Sequence, residues 1–193
     1  MKLSFSTRGW ADHSWDELVS TALEMDFSGI EIHNPIINAV FTGKGGPLER
    51  YNTQATARAL RDKGLCIPAL DSSVDISAGE EQIQAAKDLI DLAAAAGVER
   101  VVVVAQNDDE DAIHAALAEL VPYAEASDVV LLIESSGIFS STTRMAGIMD
   151  RYASDYLGTL WDVHNVYRTG GETPAQTVKN LGAYIKHAHM RDS

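Results

Sequence analysis

Short runs of apolar and β-branched residues alternate along the chain with segments whose apolar positions recur at helical spacing. The apolar runs begin near Leu3, Gly29, Leu65, Arg100, Val129, Leu157 and Tyr184. Their spacing averages about 30 residues, the length of one strand, one helix and two short loops. VVVVA and VVLLI are apolar throughout, as expected for strands buried on both faces of a parallel sheet. The pattern predicts one α/β domain over residues 1–193.

Residues near the expected helix boundaries carry start and stop signals. Three starts match the capping box, in which Ser or Thr is followed three residues later by Glu or Gln. They are Ser14 with Glu17, Ser77 with Glu80, and Thr173 with Gln176, where Pro174 takes the first helical position. Pro47 predicts the start of a helix that ends near Gly64, and Gly97 predicts the end of the helix after Ser77.

Seven strands separated by helices fit either a closed barrel or an open, doubly wound sheet, and periodicity does not separate the two. The open sheet often carries a glycine-rich turn after its first strand, where it binds a dinucleotide. The corresponding segment here, STRGW, has a single glycine. The polar residues at the strand ends provide the stronger argument for a barrel.

Composition and charge narrow the functional classes. Hydrophobic residues make up 46% of the chain, and no apolar run approaches the length of a membrane helix or a signal peptide. The only cysteine, Cys66, has no partner for an internal disulfide, so a cytoplasmic location is expected. The formal net charge of −13 opposes nucleic-acid binding, which depends on Lys and Arg at phosphates.

Nearly every predicted strand ends in a side chain that could bind a metal or move a proton. These side chains are Glu31, His33, Asp71, Asp75, Glu134, Asp162, His164, Asn165, His187, His189 and Asp192. Taken singly, each has an ordinary explanation as a helix cap, a turn former or a buried histidine. In a barrel, however, the strand ends converge on one rim. A carboxylate on strand five, one on strand six and an imidazole on strand seven suit Mn²⁺, Mg²⁺, Co²⁺ or Zn²⁺.

The segment WDVHNVYRTGGETPAQTVKNLGAYIKHAHMRDS, residues 161–193, resembles the sixth-to-seventh-strand region of the xylose isomerase-like sugar isomerases and epimerases. GIEIH and LLIESSG fit the looser pattern of this family. The resemblance implies a (β/α)8 TIM barrel that binds one divalent metal through Glu134, Asp162 and His189, with Glu134 also the catalytic base. It implies substrate contacts from His33, His164, Asn165 and Arg168. Asn165 stands where many relatives have a second histidine.

The function implied is a metal-dependent isomerase or epimerase of a ketose, polyol or related sugar derivative, acting through an enediolate. A barrel that binds a sugar or a protein partner without catalysis is the main alternative. An abasic-site endonuclease, which the ending HMRDS also resembles, is less compatible with the acidic charge.

The sequence ends at Ser193, before an eighth strand and before the family's second glutamate. An open barrel leaves strand edges unpaired, at about 1–3 kcal/mol for each buried backbone group. We therefore expect a longer polypeptide, or a homo-oligomer in which another chain fills the gap.

Overall fold

The computed structural model describes residues 2–191, and within them seven strands form one sheet in the order β1 to β7. The strands are β1 (Ser4–Ser6), β2 (Gly29–His33), β3 (Leu70–Asp75), β4 (Arg100–Val104), β5 (Val130–Glu134), β6 (Leu157–Asp162) and β7 (Ile185–His189). They run parallel and alternate with helices, which is the arrangement of a TIM barrel with seven of its eight strands. The predicted fold class is confirmed.

Helices follow each of the first six strands. They are α1 (Trp15–Glu24), α2 (Ala39–Thr42), α3 (Thr53–Asp62), α4 (Glu80–Ala96), α5 (Glu110–Ala126), α6 (Thr142–Tyr152), α7 (Val163–Arg168) and α8 (Pro174–Leu181). Short 3-10 turns cover Thr7–Gly9, Gly137–Ser140 and Gly182–Tyr184. None of the helices within residues 2–191 has the length and apolar character needed to cross a membrane.

Two of the predicted capping boxes form as expected. At α1, the backbone N–H of Ser14 donates to Glu17 Oε2 at 2.8 Å, and the Ser14 side chain accepts from the backbone of Glu17. At α8, Thr173 and Gln176 make the same reciprocal pair, with Pro174 at the first helical position. Gly97 follows the end of α4 with φ of +67°, a conformation that glycine adopts without steric cost. These signals depend only on residues that are close in sequence, so the folded structure retains the predicted helix ends.

The third strand begins later than the sequence pattern predicts. The predicted run starts at Leu65, whereas β3 starts at Leu70. Cys66 makes only an isolated bridge to Gly29, and Pro68 has no N–H to donate to a neighbouring strand. As a result, Asp71 and Asp75 lie inside β3 rather than after it.

Two predicted helix starts are wrong. Ser77 does not cap α4, because its hydroxyl donates to Asp75 Oδ1 at 2.5 Å and accepts from the backbone of Asn107. Pro47 does not open a helix either, since α3 begins at Thr53 after a series of turns. At Ser77, contacts with Asp75 and Asn107 occupy the hydroxyl that the local pattern assigned to the helix cap.

The chain divides into two compact units, which are described separately. The first comprises residues 2–72 and 89–101, and its core includes Ile30 and Ile32 of β2 with Leu18 and Ala22 of α1, all fully buried. Apolar side chains on both elements exclude water between the strand and the helix, which stabilises their packing.

The second unit comprises residues 73–88 and 102–191. Strand β5 is buried from Leu131 to Ile133, and Leu160 of β6 and Phe139 are also fully buried. The buried strands leave their polar residues at the carboxyl ends, where Glu134 closes β5 and Asp162 closes β6. The predicted metal-binding carboxylates of this unit therefore lie at the carboxyl ends of its strands.

Candidate metal and substrate site

Two buried carboxylates in the second unit share one neighbour. Glu134 is 6% exposed and Asp162 is 2% exposed. The side-chain amide of Asn165 donates to Glu134 Oε1 at 3.2 Å, and the backbone N–H of Asn165 donates to Asp162 Oδ1 at 2.7 Å. Because both acids contact the same residue, the ends of β5 and β6 form one local cluster.

Local structure holds Asp162 from two sides. Asp162 is the N-cap of α7, where its carboxylate accepts from the first turn of the helix, as Asp commonly does at this position. Its own backbone N–H donates to Ser135 Oγ at 2.9 Å. The carboxylate is therefore fixed at the start of α7.

Strand register places the histidines of β7 beside these acids. Asp162 pairs with His189 and Leu160 pairs with His187, while Glu134 of β5 pairs with Leu160. Residues two apart on a strand face the same side, so the two carboxylates and the two imidazoles share one face of the sheet. The His187 and His189 rings lie 5.5 Å apart in an edge-on arrangement, and both residues are half-buried.

Arg191 completes the cluster and was not among the predicted site residues. One of its terminal nitrogens, Nη2, lies 2.7 Å from Asn165 Oδ1 and 3.2 Å from Asp162 Oδ2. Its side chain is 44% exposed, in contrast to the buried acid that it contacts. The sequence signal was a basic residue two positions after His189, but only the structure shows its partners. Asp192, another predicted candidate, lies outside the described residues.

The two other predicted contacts on α7 differ in their surroundings. His164 lies in the first turn, and its Nδ1 is buried without a hydrogen-bond partner among residues 2–191. An unsatisfied buried nitrogen of this kind costs free energy unless a ligand or water pairs with it. Arg168 lies in the last turn and is exposed, and its guanidinium forms no ion pair within the described part of the chain.

In the first unit, His33 forms a hydrogen-bonded pair with Asp71. His33 Nδ1 lies 2.6 Å from Asp71 Oδ2, and the Asn34 amide nitrogen lies 3.0 Å from His33 Nε2. Asp71 is 1% exposed and accepts the backbone N–H of Asn34 through its carbonyl oxygen. If Nδ1 carries the proton, it donates to the carboxylate and Nε2 accepts from Asn34.

Asp75, in the second unit, has a structural role. Its Oδ1 accepts hydrogen bonds from the backbone and the hydroxyl of Ser77 and from the backbone N–H of Gln106. A carboxylate oxygen with three donors holds together the loops that follow β3 and β4.

Comparison with known proteins places the chain in a family. The family model described as "Xylose isomerase-like TIM barrel" matches residues 19–193. No curated protein sequence matches the chain.

Solved structures share the fold at low sequence identity. The probable 3-DHS dehydratase AsbF from Bacillus anthracis has a TM-score of 0.80 and 18% identity, covering 98% of this chain and 73% of its own. A D-tagatose 3-epimerase-like protein has a TM-score of 0.77 and 19% identity, covering 100% and 77%. The IOLI protein, solved with a zinc atom bound, has a TM-score of 0.79 and 17% identity, covering 100% and 73%. The family model spans most of the chain and agrees with the seven-stranded fold, and the chain therefore belongs to the xylose isomerase-like TIM-barrel family.

Proposed function

We propose that this chain is a divalent-metal-dependent isomerase or epimerase of a ketose, polyol or related sugar derivative. The observation that carries the proposal is the contact of Asn165 with both Glu134 and Asp162, at the position where β6 pairs with His189. The family and the epimerase-like structural neighbour support a sugar-modifying enzyme.

The residues present fit a divalent ion. Glu134 and Asp162 bring two carboxylates into a buried cluster, and a divalent cation would balance their two negative charges. His189 pairs with Asp162 in the register of β6 and β7, and its ring lies against that of His187, so it is the proposed nitrogen donor. Two carboxylates and one imidazole suit Mn²⁺, Mg²⁺, Co²⁺ or Zn²⁺, and the IOLI relative holds zinc. When bound, such an ion polarises a substrate carbonyl as a Lewis acid.

Glu134 is proposed as the base that removes the proton from the carbon next to that carbonyl. The Asn165 amide fixes one oxygen of this carboxylate and so orients the group. Return of the proton to the neighbouring carbon isomerises the sugar, whereas epimerisation requires a second acid that delivers a proton to the opposite face of the same carbon. The unpartnered Nδ1 of His164 fits a substrate hydroxyl, and His33 and Arg168 remain predicted contacts.

Proton exchange tests this proposal on many candidate sugars with a single assay. The protein is incubated in D₂O with each of a panel of ketoses and with each of the four metals in turn. Loss of the α-proton signal is followed by NMR after the paramagnetic ions Mn²⁺ and Co²⁺ have been removed by chelation. We expect exchange with at least one ketose, and Glu134→Gln should slow it by about 10²–10⁴-fold, the usual contribution of a general base. Glu125→Gln, which removes the same charge from an exposed position on α5, is the matched control and should exchange like the wild type.

Two outcomes would contradict the proposal. Exchange that is equally fast in the Glu134→Gln variant would remove Glu134 as the base. Absence of exchange with every ketose and every one of the four metals would favour a non-catalytic barrel.

A further inference from the structure

Arg191 contacts one oxygen of Asp162, a proposed metal ligand. Of the two Asp162 oxygens, Oδ1 accepts the backbone N–H of Asn165, and Oδ2 lies 3.2 Å from Arg191 Nη2. The same nitrogen donates to the Asn165 side chain at 2.7 Å. Both oxygens of the carboxylate are therefore engaged by groups of the protein itself.

The two partners of this ion pair differ in their freedom to separate. The Asp162 side chain is 3% exposed, and its backbone is tied to Ser135, so the carboxylate stays in place. The Arg191 side chain is 44% exposed and lies on a long flexible stem, so its guanidinium can move into water at little cost. A buried carboxylate left without any cation is strongly unfavourable, but a second cation can replace the first.

We propose that Arg191 is a positioning residue that neutralises Asp162 in the metal-free protein and leaves Asp162 Oδ2 when a divalent ion binds. This inference rests on the proposed metal site. A single positive charge and a double positive charge close to one carboxylate repel each other, and the low local dielectric strengthens that repulsion. Arg191 therefore preserves the site before metal binding and weakens the affinity of the site for metal.

Metal affinity of the purified protein tests the proposal independently of activity. After removal of metal with EDTA and dialysis, binding of Mn²⁺ and, in parallel, of Mg²⁺, Co²⁺ and Zn²⁺ is measured by calorimetry for the wild type and three variants. Arg191→Gln should bind Mn²⁺ at least tenfold more tightly, which corresponds to about 1.4 kcal/mol. Arg191→Lys keeps the positive charge and should stay within about threefold of the wild type. Arg151→Gln removes an equal charge from an exposed position on α6 and should also stay within that range.

Thermal unfolding provides the second readout. In EDTA, Arg191→Gln should have a lower Tm than Arg151→Gln, because only the former leaves Asp162 without its cation. Saturating Mn²⁺ should raise the Tm of Arg191→Gln more than that of the wild type.

The outcomes separate the two proposals. Mn²⁺ binding that is equal or weaker in Arg191→Gln than in the wild type would overturn the displacement of Arg191 and leave the metal site intact. Failure of every protein to bind any of the four metals would overturn both the metal site and the displacement.

Discussion

Glu172 tests how the second unit stabilises the start of helix α6. Helix α6 begins at Thr142, yet its N-cap residue, Ser141, makes no side-chain capping bond. Glu172, in the segment between α7 and α8, accepts the Thr142 backbone N–H at 2.9 Å through Oε1. Its Oε2 accepts the Thr142 hydroxyl, which in turn accepts from Asn180 at 2.8 Å. A distant residue therefore performs the capping function for α6.

Replacing Glu172 by Ala should destabilise the protein by about 2–4 kcal/mol. Thr142 is fully buried, so its N–H and hydroxyl would lose their acceptors without access to water. A hydrogen bond to a charged group contributes about 1.5–3 kcal/mol, and an unsatisfied buried donor costs about 1–3 kcal/mol. These figures overlap in part, because both describe the loss of the same partner, and Asn180 still donates to the hydroxyl. The estimate is therefore below their sum.

Urea unfolding followed by far-UV circular dichroism gives the free energy of unfolding for each variant. Glu172→Gln keeps one carbonyl oxygen for the Thr142 N–H and should lose only about 1–2 kcal/mol. Thr142→Val removes the hydroxyl, and combining it with Glu172→Gln in a double-mutant cycle should reveal a coupling of at least about 0.5 kcal/mol. A loss below about 0.5 kcal/mol for Glu172→Ala would refute the assignment of Glu172 as the cap of α6.

Two further predictions concern residues outside the proposed ligand set. The backbone N–H of Ser14 donates to Glu17 and holds the pKa of that carboxyl below its usual range. The stabilisation from Glu17 is therefore present above the ordinary pKa of a glutamate and is lost as the pH falls through the folded-state pKa. The difference in unfolding free energy between the wild type and Glu17→Gln, measured by urea unfolding from pH 7 to pH 3, should shrink in acid, and a constant difference would contradict this. Gly137 has φ of +55°, and an added Cβ would lie 2.6 Å from the carbonyl oxygen of Ala105. Gly137→Ala should therefore lower the free energy of unfolding by at least about 1–2 kcal/mol. An unchanged urea midpoint would contradict this and show that the turn adjusts without strain.

The fold and several element boundaries follow from the sequence alone. Strand β2 has the limits that its apolar run predicts, and the spacing of about 30 residues corresponds to the observed alternation of strands and helices. The capping boxes at Ser14 and Thr173 depend on residues three positions apart, so their geometry is independent of the rest of the molecule. The clustering of Glu134 with Asp162 also follows from the sequence, because parallel strands place their carboxyl ends at one edge.

Tertiary structure decides where polar side chains find partners that are distant in sequence. Ser77 has the local pattern of a helix cap, but its hydroxyl donates to Asp75 and accepts from the backbone of Asn107 instead. Arg191 and Glu172 lie in segments without a local signal for their contacts with Asp162 and Thr142. Local periodicity determines which face of an element is buried, because burial of apolar area depends on spacing along the chain. The partner of a long polar side chain depends instead on which groups the finished fold brings within about 3 Å, and no short stretch of sequence contains that information.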